Sequence, residues 1–198
     1  MEKVSLTYFV DFVLRSGTPK LTGVREYKER KDELSTDFYR PIREGIVAMH
    51  RRGECESVLD TVIAAQTDEK RRRIYPHVVA GYRKFLASGD KRWFEPPHGA
   101  MKLGDLEINL NPEVGFVIDR KPHLVKLYFR QEPLVAKRSA VALALLTSGL
   151  SRLYPNHVIT MLDVPRAKLH TAKDLPNPRL EVLLRGEAAA FSTIYEAL

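Results

Sequence analysis

The chain has 198 residues, enough for one domain with a real hydrophobic core and no covalent staples. Its single cysteine, Cys55, excludes an internal disulfide framework and a cysteine-rich zinc site. Lys and Arg number 32 against 25 Asp and Glu, a net charge of +7 that permits attraction to nucleic acid without demanding it.

Ser5 caps a helix over residues 6–16, with Leu6, Phe9, Val10 and Val13 as its apolar stripe. Asp11 and Arg15 interrupt that stripe, so the segment reads as a buried amphipathic helix of a cytoplasmic protein and not as a signal peptide. No apolar run approaches the roughly 20 residues that span a bilayer, so no membrane partner is expected. Gly17 ends the helix, and residues 18–34 read as partly extended and then solvated.

Ser35-Thr36-Asp37 offers caps for a helix to about Arg52, with Ile42, Ile46, Val47 and Met49 facing the core and Gly53 closing it. Another helix spans about 54–66. A third starts at the Thr67-Asp68 caps and runs to about Ser88-Gly89 around Ile74, Val78, Tyr82, Phe85 and Leu86. Pro76 either falls in a first turn that starts late or kinks this helix. Residues 91–105 lie in a Gly- and Pro-rich stretch and read as a linker loop. They separate a helical part, 1–90, from an α/β core, 106–198, unless the chain forms one compact domain overall.

The apolar period then changes to two. Leu106, Ile108 and Leu110 alternate with polar residues, as do Val114, Phe116 and Ile118, and a third strand covers His123 to Arg130. Short turns at Asn111-Pro112 and at Asp119 to Pro122 make these three a predicted antiparallel meander. A nearly all-apolar helix over about 134–153 should be buried. A further strand, His157 to Val164, precedes the Pro-rich loop DLPNP and a last helix over 179–197. Helices followed by clustered strands predict the α+β class, with a mixed sheet, a buried helix and a C-terminal helix.

Recognisable chemistry is sparse. The six histidines lack ligand spacing, and HExxH, GxSxG and glycine-rich phosphate loops are missing. What stands out is Glu113, directly after Pro112, and Lys126 thirteen residues on, with Leu124 two residues before the lysine. Read plainly, Pro112-Glu113 is a turn, Lys126 a solvent-face strand lysine, Asp119 a hairpin tip and Asp163 a cap.

The element order and the acid–lysine pair together resemble the PD-(D/E)XK, or restriction-endonuclease-like, superfamily over about residues 106–198. The resemblance implies a helix-strand-strand-strand-helix-strand core and, in active members, a Mg²⁺-dependent nuclease; other members are inactive relatives. It implies catalytic roles for Glu113, Asp119 and Lys126, with Glu113 and Asp119 as the Mg²⁺ ligands. In such a site hard oxygen ligands hold the cation, which neutralises the phosphate.

Phosphates of DNA or RNA are then expected to meet Arg71, Arg72, Arg73, Arg130, Lys137 and Arg138. Such contacts hold the backbone without reading bases. The reading from a different class is a non-catalytic interaction or scaffold module, with Trp93 and Phe94 as anchors for a protein partner.

Overall fold

A computed structural model describes residues 2–29, 37–172 and 178–198. The expected caps Ser35 and Thr36, part of the solvated stretch 18–34, and the loop 174–177 lie outside the described residues. The class is α+β. In chain order the elements are β1 (Glu2–Ser5), α1 (Leu6–Leu14), α2 (Thr18–Glu29), α3 (Arg40–Arg52), α4 (Val58–Ala64), α5 (Glu69–Ala87), β2 (Arg92–Phe94), β3 (Ala100–Leu103) and β4 (Leu106–Asn109). There follow β5 (Val114–Ile118), β6 (Lys121–Tyr128), α6 (Ala136–Leu150), β7 (Val158–Asp163), β8 (Lys168–Thr171) and α7 (Pro178–Ala197).

Two sheets form. The larger has the order β2-β5-β6-β7-β8; β6 and β7 run parallel, joined through α6, and the other neighbours are antiparallel. The smaller has the order β1-β4-β3. A three-strand antiparallel unit therefore exists, but its first member is β2 and not the Leu106 strand. That strand pairs with β3 and, in parallel, with β1. The linker expected over 91–105 thus supplies a strand to each sheet. Gly115 makes room for β2: a Cβ there would sit 2.5 Å from the ring of Phe94.

Strand parity decides what each face buries. Leu124 and Tyr128 of β6, with Ile159 and Met161 of β7, join a core shared with α1, α6, α7 and the small sheet. Val125 and Leu127 of β6 and Leu162 of β7 point the other way, into a core with α3, α4 and α5. Residues 1–90 contribute to both cores: β1, α1 and α2 to the first, α3 to α5 to the second.

Three expected caps hold, while Asp37 does not cap α3: Tyr39 stands at that helix's N-cap with no side-chain cap bond, and Asp37 Oδ1 accepts from the Tyr39 N–H at 3.1 Å. Ser5 Oγ accepts from the Tyr8 N–H at 3.2 Å, Asp68 Oδ1 accepts from the Arg71 N–H at 2.7 Å, and Gly53 closes α3 in the left-handed region. Pro76 lies inside a continuous α5, since that helix already starts at Glu69. Residues 18–29 are helical rather than extended. Pro19 sits in the first turn, where its missing N–H is harmless. Contacts to α7 hold this weakly patterned helix, among them a Lys20–Glu187 ion pair, a bond from Lys28 Nζ to the Tyr195 carbonyl at 3.1 Å and the edge-on meeting of Tyr27 with Phe191. Among the described residues no helix is long and apolar enough to cross a membrane.

Candidate functional site: a charge-paired groove and a free basic run

The register that pairs Val114 with Val125 sets Glu113 across from Lys126. Glu113 lies just before β5, and its N–H donates to the Val125 carbonyl at 3.1 Å. Lys126 shares the face of Leu124 and Tyr128, at the end of β6 that opens into a cavity of about 1030 Å³. Its ammonium donates to Glu113 Oε1 at 2.5 Å and to the Asn111 carbonyl at 2.9 Å. The other carboxylate oxygen, Glu113 Oε2, accepts from the Leu127 N–H at 2.8 Å. The two side chains are 13% and 11% exposed, so the pair is nearly closed to water. Lys126 is therefore not the freely solvated lysine of the plain reading.

Asp119 does not join them. It and Arg120 form the two-residue tip between Ile118 and Lys121, with φ of 50° and 65°, at the far end of the hairpin. Six residues of extended strand place it roughly 20 Å from Glu113. The expected ligand pair Glu113 and Asp119 is thus divided by the length of β5. Leu124 occupies the neighbouring position with 1% exposure, packed in the core. The Mg²⁺ site implied by the resemblance does not fit these residues: of its two expected ligands only Glu113 is at hand, and it already spends both oxygens on Lys126 and Leu127. Among the described residues no group of three or more His, Cys, Asp or Glu side chains is placed to hold a metal ion. Asp163 is a structural residue, 1% exposed, accepting from the Leu134 N–H at 3.0 Å and facing Arg166 Nη1 at 3.2 Å.

The cavity wall repeats this pairing. Arg43 meets Asp37 at 2.6 Å, Arg51 grips Glu95 through two nitrogens, and Arg52 lies 3.8 Å from Glu54. Arg130 bonds Asp11 of α1, whose other oxygen takes Arg138 of α6. Arg130 and Arg138, expected on phosphates, are therefore engaged within the chain, clasping α1 to the end of β6 and to α6. The lining holds five cations (Arg43, Arg51, Arg52, Lys126, Arg130) and five carboxylates (Asp11, Asp37, Glu44, Glu95, Glu113), which cancel.

Asp11 and the ring residues Tyr8, Tyr27, Tyr39 and Tyr128 of this lining were not legible as site residues. The one signal was Asp11 itself, a carboxylate breaking an apolar stripe. Burial pushes the Tyr8 phenol up to about 12 and raises Tyr39, so both stay neutral near pH 7.

The basic run at the start of α5 differs. Lys70, Arg72 and Arg73 are exposed and Arg71 is half-buried. Asp68 is occupied as the helix cap, and among the described residues none of the four cations forms an ion pair. Lys70 Nζ and the Arg71 guanidinium lie over the Phe38 ring, 5.5 and 5.6 Å from its centre. Lys137 is exposed at the start of α6. Trp93 stacks on His50 at 6.1 Å, and Phe94 packs against the first core, so the expected partner anchors work inside the fold. Comparison of the chain with protein families, curated proteins and solved structures gave no match.

Proposed function

We propose that this chain is a cytoplasmic nucleic-acid-binding protein with a nuclease-like core, and that it binds DNA or RNA without cutting it. The order α5-β2-β5-β6-α6-β7 in and around the larger sheet supports the nuclease-like reading, since it is a helix-strand-strand-strand-helix-strand sequence. The observation that carries the binding role is the contrast in charge. The groove cations are matched in number by carboxylates, and among the described residues none of the four cations from Lys70 to Arg73 is paired with one. Unmatched cations on a helix face release counterions when they meet phosphates, which gives affinity without base reading. In this reading Glu113 and Lys126 are a retained ion pair that fixes the end of the sheet.

Fluorescence anisotropy with a labelled oligonucleotide over a salt series tests the proposal. Binding that falls steeply with salt, and an intact labelled strand after incubation with Mg²⁺, are expected. Mg²⁺-dependent cleavage that Lys126→Ala abolishes would overturn the non-cutting part, and undetectable binding at low salt the whole. The protein-interaction alternative retains one observation: Val182 and Leu183 on α7 are 71% and 53% exposed. Recovery of a protein partner that a Val182→Ser/Leu183→Ser variant loses, with no nucleic acid bound, would favour it.

A further inference from the structure

The groove sits against the basic run. Lys70 and Arg71 cover Phe38, Phe38 meets Tyr39 edge-on at 4.8 Å, and Tyr39 stacks on Phe129 at 5.6 Å with an 18° tilt. Tyr39 and Phe129 both line the cavity. A strand held by its phosphates along the first turns of α5 therefore has aromatic rings directly beside it.

More rings follow inside. Tyr8 and Tyr27, also in the lining, stack at 4.2 Å. Their hydroxyls are tied down, Tyr8 donating to the Gly23 carbonyl at 2.5 Å and Tyr27 to the Lys3 carbonyl at 2.8 Å. They are held as flat surfaces in fixed positions. The groove interior carries no net charge, so it gives phosphates no reason to enter. Rings beside paired donors and acceptors suit a neutral, flat, hydrogen-bonding group, which is what a nucleobase is.

Resting on the nucleic-acid reading above, we propose that the groove takes unstacked nucleobases and so makes the protein selective for single strands. Phosphates stay outside on the α5 cations, and bases turn inward onto Tyr39 and its neighbours. A duplex meets only the cations, because its bases are stacked on both faces and extracting one costs a few kcal/mol.

The test compares one mixed-sequence DNA oligonucleotide, alone and annealed to its complement, by anisotropy. The single strand is expected to bind at least about tenfold tighter. Tyr39→Leu, which keeps an apolar body against Phe129, should weaken single-strand binding about tenfold and leave the duplex unchanged. Arg72→Glu/Arg73→Glu should weaken both forms. If Tyr39→Leu does not fold, Tyr27→Leu on α2 makes the same comparison. Equal affinity for the two forms, or a Leu variant that keeps the wild-type ratio, overturns the inference and leaves the nucleic-acid reading standing. Binding of neither form, and none of the RNA of the same sequence, overturns that reading itself.

Discussion

The cations of the groove and the cations of α5 are the same residue types doing opposite work. In the groove each guanidinium or ammonium faces a carboxylate, and two of the acids, Asp11 and Glu113, are nearly buried at 16% and 11% exposure. At the start of α5 Lys70, Arg72 and Arg73 are exposed, Arg71 is half-buried, and among the described residues none of the four is paired with an acid. Breaking a partly buried pair leaves an uncompensated charge, so groove residues should show themselves in stability. Exposed cations contribute little to stability, so α5 residues should show themselves in binding. Position in the sequence does not separate the two classes; partners do.

The largest expected effect on binding is on the α5 side. Reversing Arg72 and Arg73 to Glu should lower oligonucleotide affinity by about one to two orders of magnitude at low salt and flatten the salt slope by about two or more. The unfolding midpoint in urea should stay nearly unchanged.

Next comes Asp11→Ala, which strips one carboxylate from both Arg130 and Arg138. A loss of about 2–4 kcal/mol is expected from urea unfolding, with affinity for duplex DNA kept or raised. Reduced duplex affinity in a folded Asp11→Ala protein would break the division between the two regions.

Lys126→Met should cost about 1–3 kcal/mol, because it leaves the Glu113 carboxylate half of a closed pair behind. Glu113→Gln should cost less, since an amide oxygen can still accept from Leu127. A double-mutant cycle across the pair measures the coupling directly.

The smallest effect concerns the link between the two regions. His50 on α3 meets the Tyr82 hydroxyl on α5 at 2.7 Å, and burial lowers the imidazole to about 4 from its ordinary 6.5. The unfolded chain therefore binds a proton at His50 that the folded chain refuses. This contribution is fully present above about pH 6.5 and is lost as pH falls toward 4. Allowing for the ring's partial contact with water, about 1–2 kcal/mol should disappear over that window. His50→Gln should remove that part of the slope, which urea titrations at pH 4.5 and 7 would show.

Much of the fold was legible where the pattern was local. α1, α3, α5, α6 and α7 carry long apolar periods or caps, and β5 to β7 alternate or run apolar. The elements that sequence reading missed depend on distant partners. β1 is four residues long and forms only by lying parallel to β4, about a hundred residues away. β2 is three residues inside a Gly- and Pro-rich stretch and needs the bare Gly115 opposite Phe94. α2 has almost no apolar stripe and is held from outside by α7.

The site was half legible for the same reason. Glu113 and Lys126 stand at a spacing that a hairpin brings together, and they do meet. Asp119 belongs to the same hairpin, but strand geometry carries it to the other end. Nothing in the sequence announces that Asp11 of α1 reaches Arg130 and Arg138, because helix docking decides it.

The most direct test of the central claim is the salt dependence of duplex oligonucleotide binding for Arg72→Glu/Arg73→Glu beside Lys126→Met. The account predicts a flattened slope and weakened binding for the α5 variant, with the wild-type slope kept by the groove variant. The opposite result, binding that depends on Lys126 and ignores Arg72 and Arg73, would contradict it.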